Sequence, residues 1–248
     1  MIIVTGGAGF IGSNFILRWL EKFDEDILNI DNLSYAADLN NLKDIEYNSN
    51  YSFKKLNIQN QDEITTLILE SKPRAILNFA AESHVDRSIE GPENFINSNI
   101  IGTYSLLEAS LQYWNSLGEK DKDNFRFFHI STDEVFGSLN MSDEKSTEES
   151  PYRPNSPYSA SKAASDHLVR AWHHTFELPT LISNCTNNYG PHQHQEKLIP
   201  LIITNALENK NLPIYGDGKN IRDWLYVEDH CEAIIKILEN GIPGETYN

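Results

Sequence analysis

A hydroxyl, two adjacent acids, a phenol and an amine lie within residues 131–162. Ser131-Thr132-Asp133-Glu134-Val135-Phe136-Gly137 closes the apolar run Phe127–Ile130, and Tyr158-Ser-Ala-Ser-Lys162 follows. The run reads as a buried strand, so Thr132, Asp133 and Glu134 stand at its end. On a helix spanning 158–176, Tyr158 and Lys162 project from one face about one turn apart. A phenol with an ordinary pKa of about 10 is a poor base at neutral pH. A cation one turn away, helped by a bound cationic cofactor, favours the phenolate and lowers that pKa. Asp133 and Glu134 offer a second kind of proton chemistry. Neighbouring carboxyls split their pKa values, which leaves one able to give a proton and the other able to take one. Alone, Tyr-x-x-x-Lys also describes a solvated helix face, and Asp133-Glu134 a strand cap beside a surface charge. The order of the two motifs, and the N-terminal residues, favour chemistry.

The elements that position these groups begin at Ile2-Ile3-Val4-Thr5, a short β-branched run followed by Gly6-Gly7-Ala8-Gly9-Phe10-Ile11-Gly12. Gly6, Gly9 and Gly12 have the G-x-x-G-x-x-G spacing of a dinucleotide loop. Gly6 serves the tight turn, Gly9 the close approach of a pyrophosphate, and Gly12 the packing of helix on strand. Phosphate oxygens then meet a helix N-terminus near Ile11, where free N–H groups and the dipole favour anions. A second apolar run, Ile27–Ile30, ends at Asp31. An acid there accepts from an adenine ribose 2′-hydroxyl and repels a 2′-phosphate. The expected cofactor is NAD rather than NADP.

Strands and helices alternate along the chain. Apolar runs at Tyr51–Leu56, Ala75–Phe79, Phe125–Ile130 and Thr180–Asn184 predict strands. Residues 60–70, 93–116, 158–176 and 196–209 predict helices, with Pro92 near the first turn of the second. This alternation predicts an α/β fold, a doubly wound parallel sheet of Rossmann type whose strand order reverses after the first strand. Ser142–Pro157 lacks apolar periodicity and reads as a loop, either at the mouth of the site or as a surface excursion. Beyond residue 186 the pattern changes to a turn-rich Asn187–Pro191, a polar His192–Gln195 and a short strand at Leu212–Tyr215. The expected division is a cofactor-binding domain at 1–186 and a smaller, interleaved substrate domain at 187–248. Gly244–Asn248 reads as the start of a strand, so the second domain is expected to be incomplete.

Composition narrows the classes. With 248 residues and a net charge of −16, the chain is long enough for a full core. Its charge has the wrong sign for nucleic acid or an anionic membrane as partner. The two cysteines, Cys185 and Cys231, have no metal-ligand spacing and no disulfide framework, so no metal and a reducing, cytoplasmic setting are expected. His84, His192 and His194 also lack ligand spacing and read as loop or core residues. No apolar run approaches the ~20 residues that span a bilayer. The opening strand is taken to exclude a signal peptide.

With the glycine loop, Asp31, the Ser-Thr-Asp-Glu stretch and Tyr158/Lys162 in hand, the chain resembles the extended short-chain dehydrogenase/reductase family. Within it, the chain is similar to the nucleoside-diphosphate-glucose 4,6-dehydratases, above all their dTDP-glucose branch. Ala80–Ser88, Asn187–Pro191, Glu196–Pro200 and Ile221–His230 carry the same resemblance. Sister epimerases have small residues at Asp133-Glu134, and decarboxylases and GDP-mannose dehydratases have Ser-Glu; Thr-Asp-Glu marks the 4,6-dehydratase type. The resemblance implies a lyase of deoxysugar or rhamnose biosynthesis that eliminates water from dTDP-glucose through transient oxidation at carbon 4 by bound NAD. Tyr158 and Lys162 serve the oxidation, Glu134 removes the carbon-5 proton, and Asp133 protonates the departing 6-hydroxyl beside Thr132. It further implies cofactor contacts at Phe10, Ile11, Asp31, Asn32, Asn57, Ile58, Ala80, Ala81, Ser98 and Asn188. Substrate contacts are implied at Ser83, Thr132, Asn187, Lys197, Leu198, Pro213, Tyr215 and Arg222, with Lys197 and Arg222 as diphosphate clamps. A homodimer through helices 93–116 and 158–176 is the usual pairing, and the second helix carries more apolar residues than one face buries. The pattern departs at Asn57, where the family has Asp; at Ser98, where it has Thr; and at His192–Gln195, which lacks an aromatic and a proline. UDP-glucose as substrate, or a shortened homologue that binds NAD without turnover, stay open as alternatives.

Overall fold

In the computed structural model, which describes residues 1–140, 142–214 and 216–248, β1 (Ile2–Thr5) is an inner strand of a seven-stranded sheet. Around it lie β2 (Ile27–Asp31), β3 (Tyr51–Lys55), β4 (Ala75–Asn78), β5 (Arg126–Thr132), β6 (Thr180–Cys185) and the late strand β9 (Thr246–Tyr247). The order is β3-β2-β1-β4-β5-β6-β9, and every pairing is parallel. Ile2 stands beside Ile27 on one side and Ala75 on the other. The order therefore reverses at β1, as expected, and leaves a crevice at the carboxyl ends of β1 and β4, where ligands bind in such sheets.

Alternation along β1 feeds two cores. Ile2 and Val4 join Phe15, Ile16 and Trp19 of α1 (Phe10–Lys22), whereas Ile3 joins Ile64 and Ile68 of α2 (Gln61–Ser71) on the other face. Helices cover both faces because a parallel sheet buries both. Trp19 is fully buried, and cutting such a side chain to alanine costs about 3–5 kcal/mol.

Between β4 and β5 run α3 (Val85–Glu90), α4 (Pro92–Phe95), a π-helical turn at Ile96–Ile101, α5 (Gly102–Asn115) and α6 (Glu119–Asn124). The helix expected at 93–116 is thus interrupted by a wide turn, and α3 and α6 had no sequence counterpart. α7 (Pro157–Phe176) forms where expected. Ser156 caps it by accepting from Ser159 N at 3.0 Å, while Ser159 Oγ accepts from Ser156 N at 3.0 Å. Pro157 fits its first turn. The helix ends where Glu177 turns left-handed with φ 61°.

Residues after 186 serve both parts of the molecule. β7 (Asn187–Tyr189) pairs in parallel with β8 (Trp224–Tyr226) as a separate two-stranded sheet. This corrects the reading of Asn187–Pro191 as turn alone. Between them lies α8 (Leu198–Leu207), which buries none of its residues. Leu212–Ile214 is irregular, not the expected strand, and Tyr215 lies outside the described residues. α9 (Val227–Asn240) packs on α1, and β9 then extends the main sheet beside β6. Among the described residues no helix is long and apolar enough to cross a membrane.

Candidate active site

A cleft of about 700 Å³ opens over the carboxyl ends of the central strands. At one end, β1 passes into the glycine loop. Gly6 has φ +73°, and a Cβ there would stand 2.5 Å from Ala80 N; a Cβ on Gly12 would stand 2.4 Å from Gly6 O. Only glycine lets the turn, the strand β4 end and α1 approach so closely. Gly9 is the N-cap of α1 and makes no side-chain capping bond. The first amides of α1 therefore have no side-chain partner and face the cleft with Gly9, Phe10, Ile11 and Gly12, an anion site by geometry and dipole.

Asp31, at the tip of β2, is buried. One carboxylate oxygen accepts from Ala8 N at 3.0 Å and the other from Leu33 N at 2.8 Å. Burial pushes this carboxyl up, against the two amide bonds. Each oxygen keeps a second lone pair for a ribose hydroxyl. Asn32 and Ile58 line the same end. Asn57 does not line it, because its Oδ1 turns to accept from Gln59 N at 3.0 Å.

The middle of the cleft is walled by the 80–83 loop and by the π-helical turn, which presents Ser98 inward. Asn99 of that turn escaped sequence reading. It accepts from Glu82 N at 2.8 Å and donates to Glu82 O at 3.0 Å and Ser161 Oγ at 2.8 Å. One buried amide thus ties the loop bearing Ala80, Ala81 and Ser83 to α7. Wide turns of this kind recur where a helix must aim polar groups.

β5 ends in a 3-10 turn at Asp133–Phe136, capped by Thr132 Oγ1, which accepts from Glu134 N at 3.3 Å. Thr132 and Glu134 face the cleft beside Tyr158 and Lys162. Asp133 stands behind that wall, bonded through Oδ1 to Thr132 Oγ1 at 3.4 Å. Burial holds both carboxyls above their ordinary range. Thr186 and Thr132 oppose this at Asp133; Asp133 adds to it at Glu134, while Arg222 and Lys197 oppose it there.

Among the described residues Lys162 and Tyr158 do not bond to each other. Burial, then the negative charge of Glu134, push the Tyr158 hydroxyl well above its usual value, with only the Thr132 hydroxyl opposing clearly. Lys162 does not relieve it, because its amine turns inward, donating to Ile130 O at 2.7 Å and meeting His129 Nε2 at 3.2 Å.

At the far end stand Ser83, Asn187, Lys197, Leu198 and Arg222. Burial lowers the Lys197 amine against the pull of Glu196 and Glu134. Asn188 lines the inner wall, oriented by His230 Nδ1 at 2.8 Å from its Oδ1. Pro213 lies outside the lining and Tyr215 outside the described residues. A cluster unseen in the sequence closes this end. Arg87 lies 3.6 Å over the Tyr35 ring, and Glu196 lies 3.5 Å from Arg87, 3.6 Å from His84 and 3.7 Å from His194. These residues join the segment after β2, α3 and the stretch before α8.

A doubly wound sheet with a glycine loop, a ribose-ready acid and a Tyr/Lys pair defines an NAD-type short-chain dehydrogenase/reductase fold of the extended class. A sequence profile of the family described as GDP-mannose 4,6 dehydratase matches residues 3–248. The dTDP-glucose 4,6-dehydratase of Xanthomonas campestris pv. campestris strain B100 is 57% identical over 246 residues, 99% of this chain and 70% of that protein. The crystal structure of dTDP-glucose 4,6-dehydratase from Bacillus anthracis in complex with NAD superposes with TM-score 0.88 at 47% identity, over 100% of this chain and 74% of that one. The Streptomyces venezuelae enzyme of the same name gives TM-score 0.91 at 42% identity, over 99% and 74%. The chain belongs to the nucleotide-sugar 4,6-dehydratase family.

Proposed function

We infer that this chain eliminates water from dTDP-glucose to give dTDP-4-keto-6-deoxyglucose, with NAD as bound cofactor. The observation that carries the reading is one cleft with an uncapped α1 N-terminus and Asp31 at one end and Glu134, Thr132 and Tyr158 farther in. Relatives at 57% and 54% identity bear the dTDP-glucose dehydratase name, in line with Thr132-Asp133-Glu134. Bound NAD would supply the hydride acceptor for carbon 4 and, once reduced, the hydride for carbon 6.

The residues divide the proton work. Tyr158 takes the proton of the 4-hydroxyl. Its hydroxyl is pushed up by burial, so the phenolate needs a positive charge near it; bound NAD would supply one, and Lys162, one turn along the same helix face, is the residue that would hold it. The 4-ketone acidifies carbon 5; Glu134 removes that proton and returns it to carbon 5 once hydride has come back to carbon 6. Asp133, raised by burial, stays protonated more readily than an exposed aspartate; since it stands behind the cleft wall, its proton reaches the departing 6-hydroxyl through the Thr132 hydroxyl bonded to it. Lys197 and Arg222 hold the diphosphate. Residues 1–186 are assigned to the cofactor unit and 187–248 to an interleaved substrate unit. A cytoplasmic setting and a homodimer complete the reading; the dimer draws on the exposed Ile101, Tyr104 and Phe176 and on the edge-to-face stacks Tyr104–Trp172 and Trp172–Phe176.

A single-turnover mix with dTDP-glucose tests the roles through reduced-nicotinamide absorbance. Tyr158→Phe is expected to abolish both that signal and product. Asp133→Asn is expected to keep the signal but slow water loss by roughly 10²–10⁴, the range for a general acid. Loss of the signal in Asp133→Asn with retention in Tyr158→Phe reverses the assignment. Turnover of UDP-glucose alone moves the substrate to that nucleotide, and NAD binding without either signal leaves a binding protein.

A further inference from the structure

Beneath the cleft floor lies a buried polar cluster that the proton steps above do not use. Lys162 and Asp166 sit one turn apart on α7, and His129 of β5 lies between them. All three side chains are at least 97% buried. His129 Nε2 is 3.2 Å from Lys162 Nζ and 3.5 Å from Asp166 Oδ1. Asp166 Oδ2 accepts three bonds, from Ser131 Oγ at 2.9 Å, Tyr152 OH at 3.0 Å and Asn184 Nδ2 at 3.2 Å. Asp166 Oδ1 has no hydrogen-bond partner among the described residues and faces His129. His129 Nδ1 meets the Asn78 amide at 3.1 Å, and that amide is held by Thr5 and Thr103.

We propose that Asp166 is the positioning residue that keeps Lys162 charged and aimed for its work on the cofactor and Tyr158. The inference rests on the reading of Lys162 given under Proposed function. A buried ammonium without a counter-charge loses its proton, and Asp166 is the carboxylate that faces this one from the same helix. Three donors converging on one of its oxygens favour its ionised form. His129 supplies contact rather than charge, since burial and then Lys162 hold it well below its ordinary pKa. Burial lowers the Lys162 amine to about 8, with Asp166 and then Cys185 pulling upward. Burial raises Asp166 to about 6, with Lys162 pulling it down. Burial thus narrows the pH range over which both are charged, and each partner's charge widens it again. The other titratable groups around it are Cys185 of β6, Tyr158 of α7 and Tyr152 of the preceding loop, with Arg170 beyond Tyr152.

The test follows the Lys162 ¹³Cε resonance in lysine-labelled protein, assigned with Lys162→Arg, alongside the pH profile of reduced-nicotinamide formation. Asp166→Asn keeps shape and removes charge. Its Lys162 midpoint is expected to fall by about one pH unit or more, and the alkaline limb of cofactor reduction to move down with it, so that acidification restores the rate. A rate lowered equally at every pH, with the Lys162 midpoint unmoved, overturns the proposal. If Asp166→Asn does not fold, Tyr152→Phe decides: removing one donor makes Asp166 easier to protonate, so the acid-side inflection of the Lys162 signal is expected to move up. An unchanged inflection overturns the proposal equally. Wild-type protein that reduces no cofactor with dTDP-glucose sinks the functional reading instead, while the resonance still reports on the Asp166–Lys162 coupling.

Discussion

Gly12 and Glu134 show how single residues set the two ends of the cleft. A methyl at Gly12 meets Gly6 O at 2.4 Å, so Gly12→Ala must push the loop away from α1. Its NAD dissociation constant, read by calorimetry, is expected to rise at least about tenfold, ~1.4 kcal/mol, with the sugar chemistry intact at saturating cofactor. Glu134 must be ionised to take a proton, and burial followed by Asp133 raises its pKa while Arg222 lowers it. Product formation therefore falls, on acidification, at a pH above the usual glutamate value of about 4.3. Arg222→Gln removes a charge that favours the ionised form. Its acid limb is expected to move to higher pH, while KM for the sugar nucleotide rises through loss of a diphosphate contact. An acid limb that stays put in this variant separates Arg222 from Glu134.

At the scale of elements, the π-helical turn before α5 and the loop after β4 act as one piece because Asn99 holds them together. Asn99→Ala leaves Glu82 N–H, Glu82 C=O and Ser161 Oγ without that partner. Buried groups left unpaired cost about 1–3 kcal/mol, which chemical denaturation should read directly. NAD affinity is expected to fall as well, since the freed loop carries Ala80 and Ala81. The fraction of bound intermediate that goes on to lose water should not change, because β5 and its 3-10 turn are untouched. The Tyr35–Arg87–Glu196 cluster has the parallel task for the stretch leading into α8.

For the molecule as a whole, the outer side of α5 and α7 is the face to test. Ile101, Tyr104 and Phe176 are 44%, 37% and 43% exposed, a grouping large enough for a partner. On the dimer proposed above, a second copy of the chain would cover this face. Phe176→Glu places a charge in that contact, and sedimentation at micromolar concentration is expected to shift from dimer to monomer without loss of the thermal transition. A wild-type protein that sediments as a monomer removes the dimer from the reading.

What the sequence determined by itself was local or periodic. The Gly6–Gly12 loop, Asp31 at the end of β2 and the Tyr158/Lys162 spacing were legible because backbone conformation and helical period act within a few residues. The parallel, reversing sheet followed from alternation of such units. Only the tertiary structure decided where the side chains turn. Lys162 points to His129 and Ile130, not to Tyr158, because a buried amine goes to the acceptors the fold supplies, and those come from another strand. Residues 93–116 read as one helix, yet Asn99 bonds Glu82 and Ser161 within a π turn, partners 17 and 62 residues distant. β7 was hidden because its partner β8 lies across the long 190–223 segment, and a three-residue strand has no periodicity to read. Asp166 carried no signal at all: an aspartate in a helix reads as surface until packing buries it against Ser131, Tyr152 and Asn184.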